Sequence, residues 1–213
     1  MPNWITNKVT APPHVISAML NEAGDVDFNS IVAFTGPHLF DTINCDSEYA
    51  ARRACGAPVD AGPVLAALQA DSRARIDLRT MRDDSFGQFI EMLQNFRACG
   101  YLHSMEFARD KWGTKWNACE SQAAPDAGRC EFETAWSCPQ PFFSALSKRF
   151  PESTISVTFA DEDIGSNCGT IEFKGGNVVR SDIAPKWKDM DEAVQSKWRA
   201  FAYEVKGWTP DDD

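Results

Sequence analysis

The chain has 213 residues, 43% apolar and 24% charged, a globular composition that excludes a mainly disordered chain. Its 21 basic and 31 acidic residues give a net charge of −10, which argues against broad, nonspecific binding to DNA or an anionic membrane. The length allows one domain or one domain with a large insertion, and no apolar run approaches the roughly 18 residues of a membrane span.

Residues 3–10 mix β-branched and apolar positions and predict a first strand. Pro12 and Pro13 suit the first turn of a helix, where a missing N–H costs nothing. Val15, Ile16, Met19 and Leu20 form its apolar stripe, and Gly24 is expected to end it. Residues 28–34 predict a short extended segment, broken by Gly36-Pro37.

Residues 41–100 read as a helical insertion. Ser47 is expected to cap a short helix, and Asp60 another that carries Val64, Leu65 and Leu68. Phe86, Phe89, Ile90, Leu93 and Phe96 recur at helical spacing and predict the clearest amphipathic helix of the chain. Ser85 would cap it and Gly100 would stop it. Between Arg52 and Arg82 stand six arginines against three aspartates, a local reversal of charge in an acidic chain.

From Tyr101 the aromatics thicken. Residues 101–117 predict a helix that runs through Trp112-Gly113-Thr114-Lys115-Trp116-Asn117. Residues 120–129 are small and polar and predict a loop. Residues 131–136 predict a strand with Phe132, Thr134 and Trp136 on one face. A helix over residues 142–150, ended by Pro151, follows. Residues 154–159 and 170–174 alternate cleanly and predict an antiparallel pair, joined by an acidic loop through Asp161, Glu162 and Asp163. Val178 and Val179 start one further strand. A last helix from about Asp191 carries Val194, Trp198, Phe201 and Val205 and ends at Gly207. The tail Asp211-Asp212-Asp213 is expected to fray.

This order predicts an α+β fold: an antiparallel sheet with helices on one face, a helical insertion and a C-terminal helix, forming a single domain over residues 1–213. Three segments make it more specific: Pro2-Asn3-Trp4-x-x-Asn7, Trp112-Gly113-Thr114-Lys115-Trp116-Asn117 and Thr134-Ala135-Trp136-Ser137-Cys138-Pro139. Together they resemble the YubB-type ferredoxin-like domain family of phages and conjugative plasmids. The resemblance covers the first ~35 residues and about residues 105–176. Ile5 stands where the family often has Cys, so no role for a thiol carries over. The resemblance implies a ferredoxin-like fold and an accessory role in a mobile element, a setting in which many proteins blunt host defences. No catalytic residue comes with it.

Seven cysteines are present. Their odd count and the absence of a signal core predict reduced thiols in a cytoplasmic setting. No Cys-x2-Cys pair exists and His14, His38 and His103 are scattered, so no zinc site or other cofactor is expected. His103 reads as a surface histidine at helical spacing from Glu106. The acidic loop lacks a calcium-binding pattern, and Gly175-Gly176 reads as a turn and not a phosphate loop.

Two surfaces remain. Trp112, Gly113, Trp116, Asn117 and Trp136 read as a structural motif, with Trp112 and Trp116 on one face of a helical turn. The alternative is a stacking platform for a base, with Lys115 on a phosphate and Arg73, Arg75 and Arg79 of the insertion as further nucleic-acid contacts. Asp161, Glu162, Asp163, Asp189, Asp191 and Glu192 form two acidic clusters suited to a basic protein partner. The resulting expectation is a cytoplasmic, non-enzymatic protein that binds a host protein or nucleoprotein complex, such as a defence effector, in the manner of an anti-CRISPR. A nucleotide or single-stranded nucleic-acid binder is the alternative, and a small enzyme is the third reading.

Overall fold

The computed structural model describes residues 2–59 and 62–210. It divides into two compact units, one of Met1–Ala33 with Ala108–Asp213 and one of Phe34–Phe107. The expected caps and tail at Asp60 and Asp211 to Asp213 lie outside the described residues.

The first unit is built on a six-stranded antiparallel sheet, the α+β architecture that the element order predicts and the ferredoxin-like fold that the resemblance implies. Its strands are β1 (Trp4–Thr10), β2 (Cys119–Ala124), β3 (Arg129–Ala135), β4 (Ile155–Asp161), β5 (Gly169–Lys174) and β6 (Asn177–Ile183), in the order β2-β3-β1-β4-β5-β6. The two-residue period of a strand sorts the side chains onto two faces. Ile5, Val9, Phe132, Val157, Phe159, Ile171 and Phe173 are buried on the face that packs against α1 (Pro13–Ala18) and α6 (Gln140–Arg149). Phe142, Phe143 and Leu146 of α6 are fully buried, with Phe28 in edge or tilted contact with Phe132 and Phe142. α7 (Glu192–Lys206) packs on β4 and β1. It closes a smaller core of Ala160, Ile164, Cys168, Met190, Trp198, Ala202 and Val205.

The second unit holds α2 (Cys45–Ala54), α3 (Pro63–Arg75) and α4 (Asp83–Cys99), and α5 (Ser104–Lys111) begins within it. Ala50, Ala51, Phe89, Met92 and Leu102 form its core. The unit begins and ends outside the 41–100 boundaries drawn from sequence. Gly100, at φ 81°, ends α4 with its N–H on the Phe96 carbonyl.

Several expectations are corrected. Residues 28–34 do not extend: the Asp27 side chain accepts from the Asn29 N–H and starts a 3-10 turn over Phe28–Ser30. α1 ends at Ala18, well before Gly24. Residues 119–124 are a strand and not a loop, because an edge strand paired on β3 needs little apolar surface of its own. α2 is capped by Asn44, not Ser47, whose N–H is the donor. Asp161 ends β4 and is no part of the acidic loop.

His103 is buried, 3% exposed, and not a surface residue. Its Nδ1 accepts from the Glu106 N–H at 3.1 Å, so it serves α5 as an N-cap. That leaves Nε2 as the protonated nitrogen, 3.5 Å from Glu48 Oε1. This is long for a hydrogen bond.

Candidate functional site

The Trp-Gly-Thr-Lys-Trp-Asn block is not a helix. α5 stops at Lys111, and the chain turns at Gly113, φ 82°. A Cβ there would stand 2.4 Å from Pro141 Cδ, so both the backbone angle and the space demand glycine. The turn sends the two indoles to different environments. Trp112 is 5% exposed, donates Nε1–H to the Val32 carbonyl at 2.8 Å, and meets Phe28 edge-on. Trp116 is 38% exposed.

The other block positions anchor the loop. Thr114 is buried and its hydroxyl donates to the Ala135 carbonyl at 2.9 Å. Ser137 returns the contact by donating to the Gly113 carbonyl at 2.6 Å. Asn117 Oδ1 accepts from the Phe28 N–H, and its Nδ2 donates to Asp27 Oδ1 at 2.7 Å. Burial pushes the Asp27 carboxyl up, but the Asn117 and Asn29 amides outweigh it and hold its pKa below the usual range. Of the block's five side chains, those of Lys115 and Trp116 are left on the surface.

Trp116 lies between two further indoles. Its ring centroid is 6.2 Å from Trp4 and 5.7 Å from Trp136, with interplanar angles of 37° and 34°. The Lys115 ammonium lies 4.5 Å from the Trp116 centroid and 5.3 Å from that of Trp136, a cation–π clamp over both rings. Trp136 does not share a strand face with Phe132 and Thr134. β3 ends at Ala135, and Trp136 adopts φ 62°, which turns it outward to 46% exposure. A left-handed angle costs a non-glycine residue about 1–2 kcal/mol, so neighbours must hold it. The Trp136 N–H donates to the Asn3 carbonyl at 2.9 Å and its carbonyl accepts from Asn167 Nδ2 at 3.2 Å.

Asp161 sits beneath this corner. It is 6% exposed and accepts from Asn3 Nδ2 at 3.1 Å, the Asp163 N–H at 3.0 Å and Asn167 Nδ2 at 2.7 Å. Glu162 accepts from the Trp4 N–H at 3.1 Å. Lys206, its side chain only 2% exposed, reaches the Trp4 carbonyl at 3.3 Å and Glu133 at 3.7 Å, and lies over the Trp208 ring at 4.7 Å. The sequence had offered no sign of Asn167 or Lys206. Their roles depend on loop and helix ends that meet only in the folded chain.

The proposed acidic clusters are therefore unequal. Asp161 is a buried hydrogen-bond acceptor, while Asp163, Asp189, Asp191 and Glu192 are exposed. Asp191 caps α7 by accepting from the Val194 N–H at 2.9 Å. The arginines are committed too. Arg73 is buried and donates to the Ala57 and Pro58 carbonyls, Arg75 pairs with Asp71, and Arg79 pairs with Asp77. All three belong to the second unit, whereas Lys115 belongs to the first. A cleft of about 490 Å³ beside Asn117 holds Asp25, Asp27 and Glu120, but Asp25 and Asp27 already accept from Ser121, Asn29 and Asn117. Among the described residues no group of three or more His, Cys, Asp or Glu side chains could hold a metal ion. No helix there is long and apolar enough to cross a membrane.

No curated protein matches the chain. Among solved structures, the crystal structure of a protein Api92 from Yersinia pseudotuberculosis is similar over 87% of this chain and 99% of that chain, at 10% identity and a TM-score of 0.38. Residues 111–200, from the tryptophan block through β2–β6 into α7, match the family described as the ferredoxin-like domain in Api92-like protein.

Proposed function

We propose that this chain acts by binding another protein, and that the Trp4–Trp116–Trp136 row is the contact surface. The observation that carries the reading is the exposure of Trp116 and Trp136 at 38% and 46% on a corner that is otherwise tightly bonded. Large indoles presented on rigid backbone are the residue type that dominates protein interfaces. The positive φ of Trp136 points the same way, since strain of that kind is retained where a side chain must be aimed.

The charges beside the row favour a protein over a nucleic acid. Lys115 is already engaged on two ring faces, and Glu162 and Asp163 follow directly on the strand end that supports Trp4. A phosphate backbone would meet those carboxylates; a protein with an apolar pocket and a basic rim would use them. The resemblance to YubB-type genes of phages and plasmids supports a mobile-element accessory role in a host cytoplasm. It supports a host defence complex as the partner class, bound in the manner of an anti-CRISPR.

The test is capture from host lysate with the full chain and with the Trp116→Ser/Trp136→Ser variant, each with and without nuclease. A partner that survives nuclease and is lost with the variant supports the reading. A partner lost with nuclease moves the function to nucleic acid. Equal capture by both proteins removes the tryptophan row from the function.

A further inference from the structure

We infer that β6 is a self-pairing edge, and that two copies of this chain join through it into one continuous twelve-stranded sheet. β6 is the last strand in the order, and all seven of its residues are exposed. Val178, Val179 and Ile183 are 50%, 56% and 42% exposed. An apolar strand with one unpaired edge is a template for another strand.

The backbone fixes which residues face outward. The Ala184 N–H donates to the Cys168 carbonyl at 2.9 Å, and the register continues from Gly169 with Ile183 to Glu172 with Arg180. Hydrogen-bonding direction alternates along an antiparallel ladder. Asp182 and Arg180 therefore turn their N–H and C=O groups toward β5, while Ser181 and Ile183 turn theirs outward. An antiparallel two-fold centred on Ser181 then pairs the outward Ser181 groups with those of Ser181 in the second copy.

The side chains agree with that axis. Centred on Ser181, the pairing sets Arg180 opposite Asp182 of the second copy, and Asp182 opposite its Arg180. Val179, at the bulge that ends the regular run, falls opposite Ile183 of the second copy. Opposite charges and apolar groups thus meet in the same seam, each twice by symmetry. Parallel in-register pairing would set Arg180 on Arg180 and is disfavoured. Within each copy Arg180 already lies 3.9 Å from Glu172, and Asp182 lies 3.8 Å from Lys197. The seam therefore carries alternating charge from Glu172 through Arg180 to Asp182 and Lys197 of the second copy. One strand buries less than an obligate interface, so the dimer dissociates on dilution.

Sedimentation velocity of the full chain over a concentration series tests this. The wild type is expected to pass from monomer to dimer. Arg180→Asp or Asp182→Arg alone sets like charges opposite twice and should weaken association by about tenfold or more. An equimolar mixture of these two variants should form a heterodimer, because each supplies the charge the other lacks; misfolding cannot produce that rescue. Ser181→Pro should abolish pairing while leaving the thermal midpoint nearly unchanged, since the lost N–H faces away from β5. A wild type that stays monomeric throughout overturns the inference. So does a dimer indifferent to these substitutions, or a variant mixture that fails to associate.

Discussion

Asn167 Nδ2 lies 2.7 Å from Asp161 Oδ2, and the same nitrogen reaches the Trp136 carbonyl at 3.2 Å. One amide thus links the buried end of β4 to the outward-turned indole. Asn167 itself adopts φ 42°, an angle that asparagine tolerates better than most residues.

That link predicts how the corner fails. Asp161→Asn keeps the shape, but with its oxygen left to Asn3 and Asp163 it sets amide hydrogens against the Asn167 donor. The loss is expected at about 2 kcal/mol, the scale of a hydrogen bond to a charged group. Asn167→Ala should cost about 1 kcal/mol and free the Trp136 carbonyl. Both variants should shift tryptophan emission to the red as the row loosens. Denaturation midpoints and emission spectra equal to wild type would show that the row holds without this network.

The two indoles of the block should separate cleanly. Trp112→Ala removes a buried ring and its hydrogen bond and should cost about 3–5 kcal/mol. Trp116→Ala removes a half-exposed ring and should cost about 1 kcal/mol, with partner capture lost. From sequence, Trp116 is expected to be buried, at a cost of about 3–5 kcal/mol. Guanidinium titration of both variants decides between them; equal midpoints would mean the turn at Gly113 does not divide their roles.

The sheet was legible because its strands announce themselves by alternation. Ile155, Val157 and Phe159 face one core, and Phe173 and Ile171 continue it across the next strand. β2 was not legible, since Cys119-Glu120-Ser121-Gln122-Ala123-Ala124 carries no apolar period and owes its conformation to pairing with β3. The tryptophan row was half legible. The block was conspicuous, but helical spacing from Trp112 to Trp116 misled, because a glycine with positive φ breaks the helix between them. Asp161 looked like a solvated loop acid because its charge was visible, while its partners Asn3 and Asn167 are brought to it only by folding.

The cysteines should react in order of access. Cys45 is exposed, whereas Cys130, Cys138 and Cys168 are buried. Burial alone pushes the Cys130 thiol to about 12. Burial, with Asp161 adding to it, takes Cys168 to about 12 as well. A thiolate is the reactive form, so alkylation of native protein near neutral pH should label Cys45 first. The three buried thiols should label only on unfolding. Mass spectrometry of peptides after timed labelling checks this; early modification of Cys138 would show that α6 opens locally.

Acid should weaken the second unit before the first. The His103 imidazole, with Arg52 adding to it against the cost of burial, lowers the Glu48 carboxyl from 4.5 to about 2. Arg52 holds Glu48 at 2.7 Å and Glu106 at 3.0 Å. Because the folded pKa lies below the unfolded one, the stabilisation is fully present above about pH 5. It is lost as pH falls toward 2. Solvent access to the cluster reduces the contribution to roughly 1–2 kcal/mol. Glu48→Gln should therefore destabilise at pH 7 by that amount, and its difference from wild type should vanish near pH 2. All seven tryptophans belong to the first unit, while α2, α3 and α4 belong to the second. Fluorescence thus reads the first unit alone, while far-ultraviolet circular dichroism reads α2, α3 and α4 together with the helices of the first unit. The variant should shift the helical transition and leave the fluorescence transition in place. A Glu48→Gln protein whose helical midpoint tracks wild type from pH 7 to pH 2 would show that the cluster adds nothing to stability.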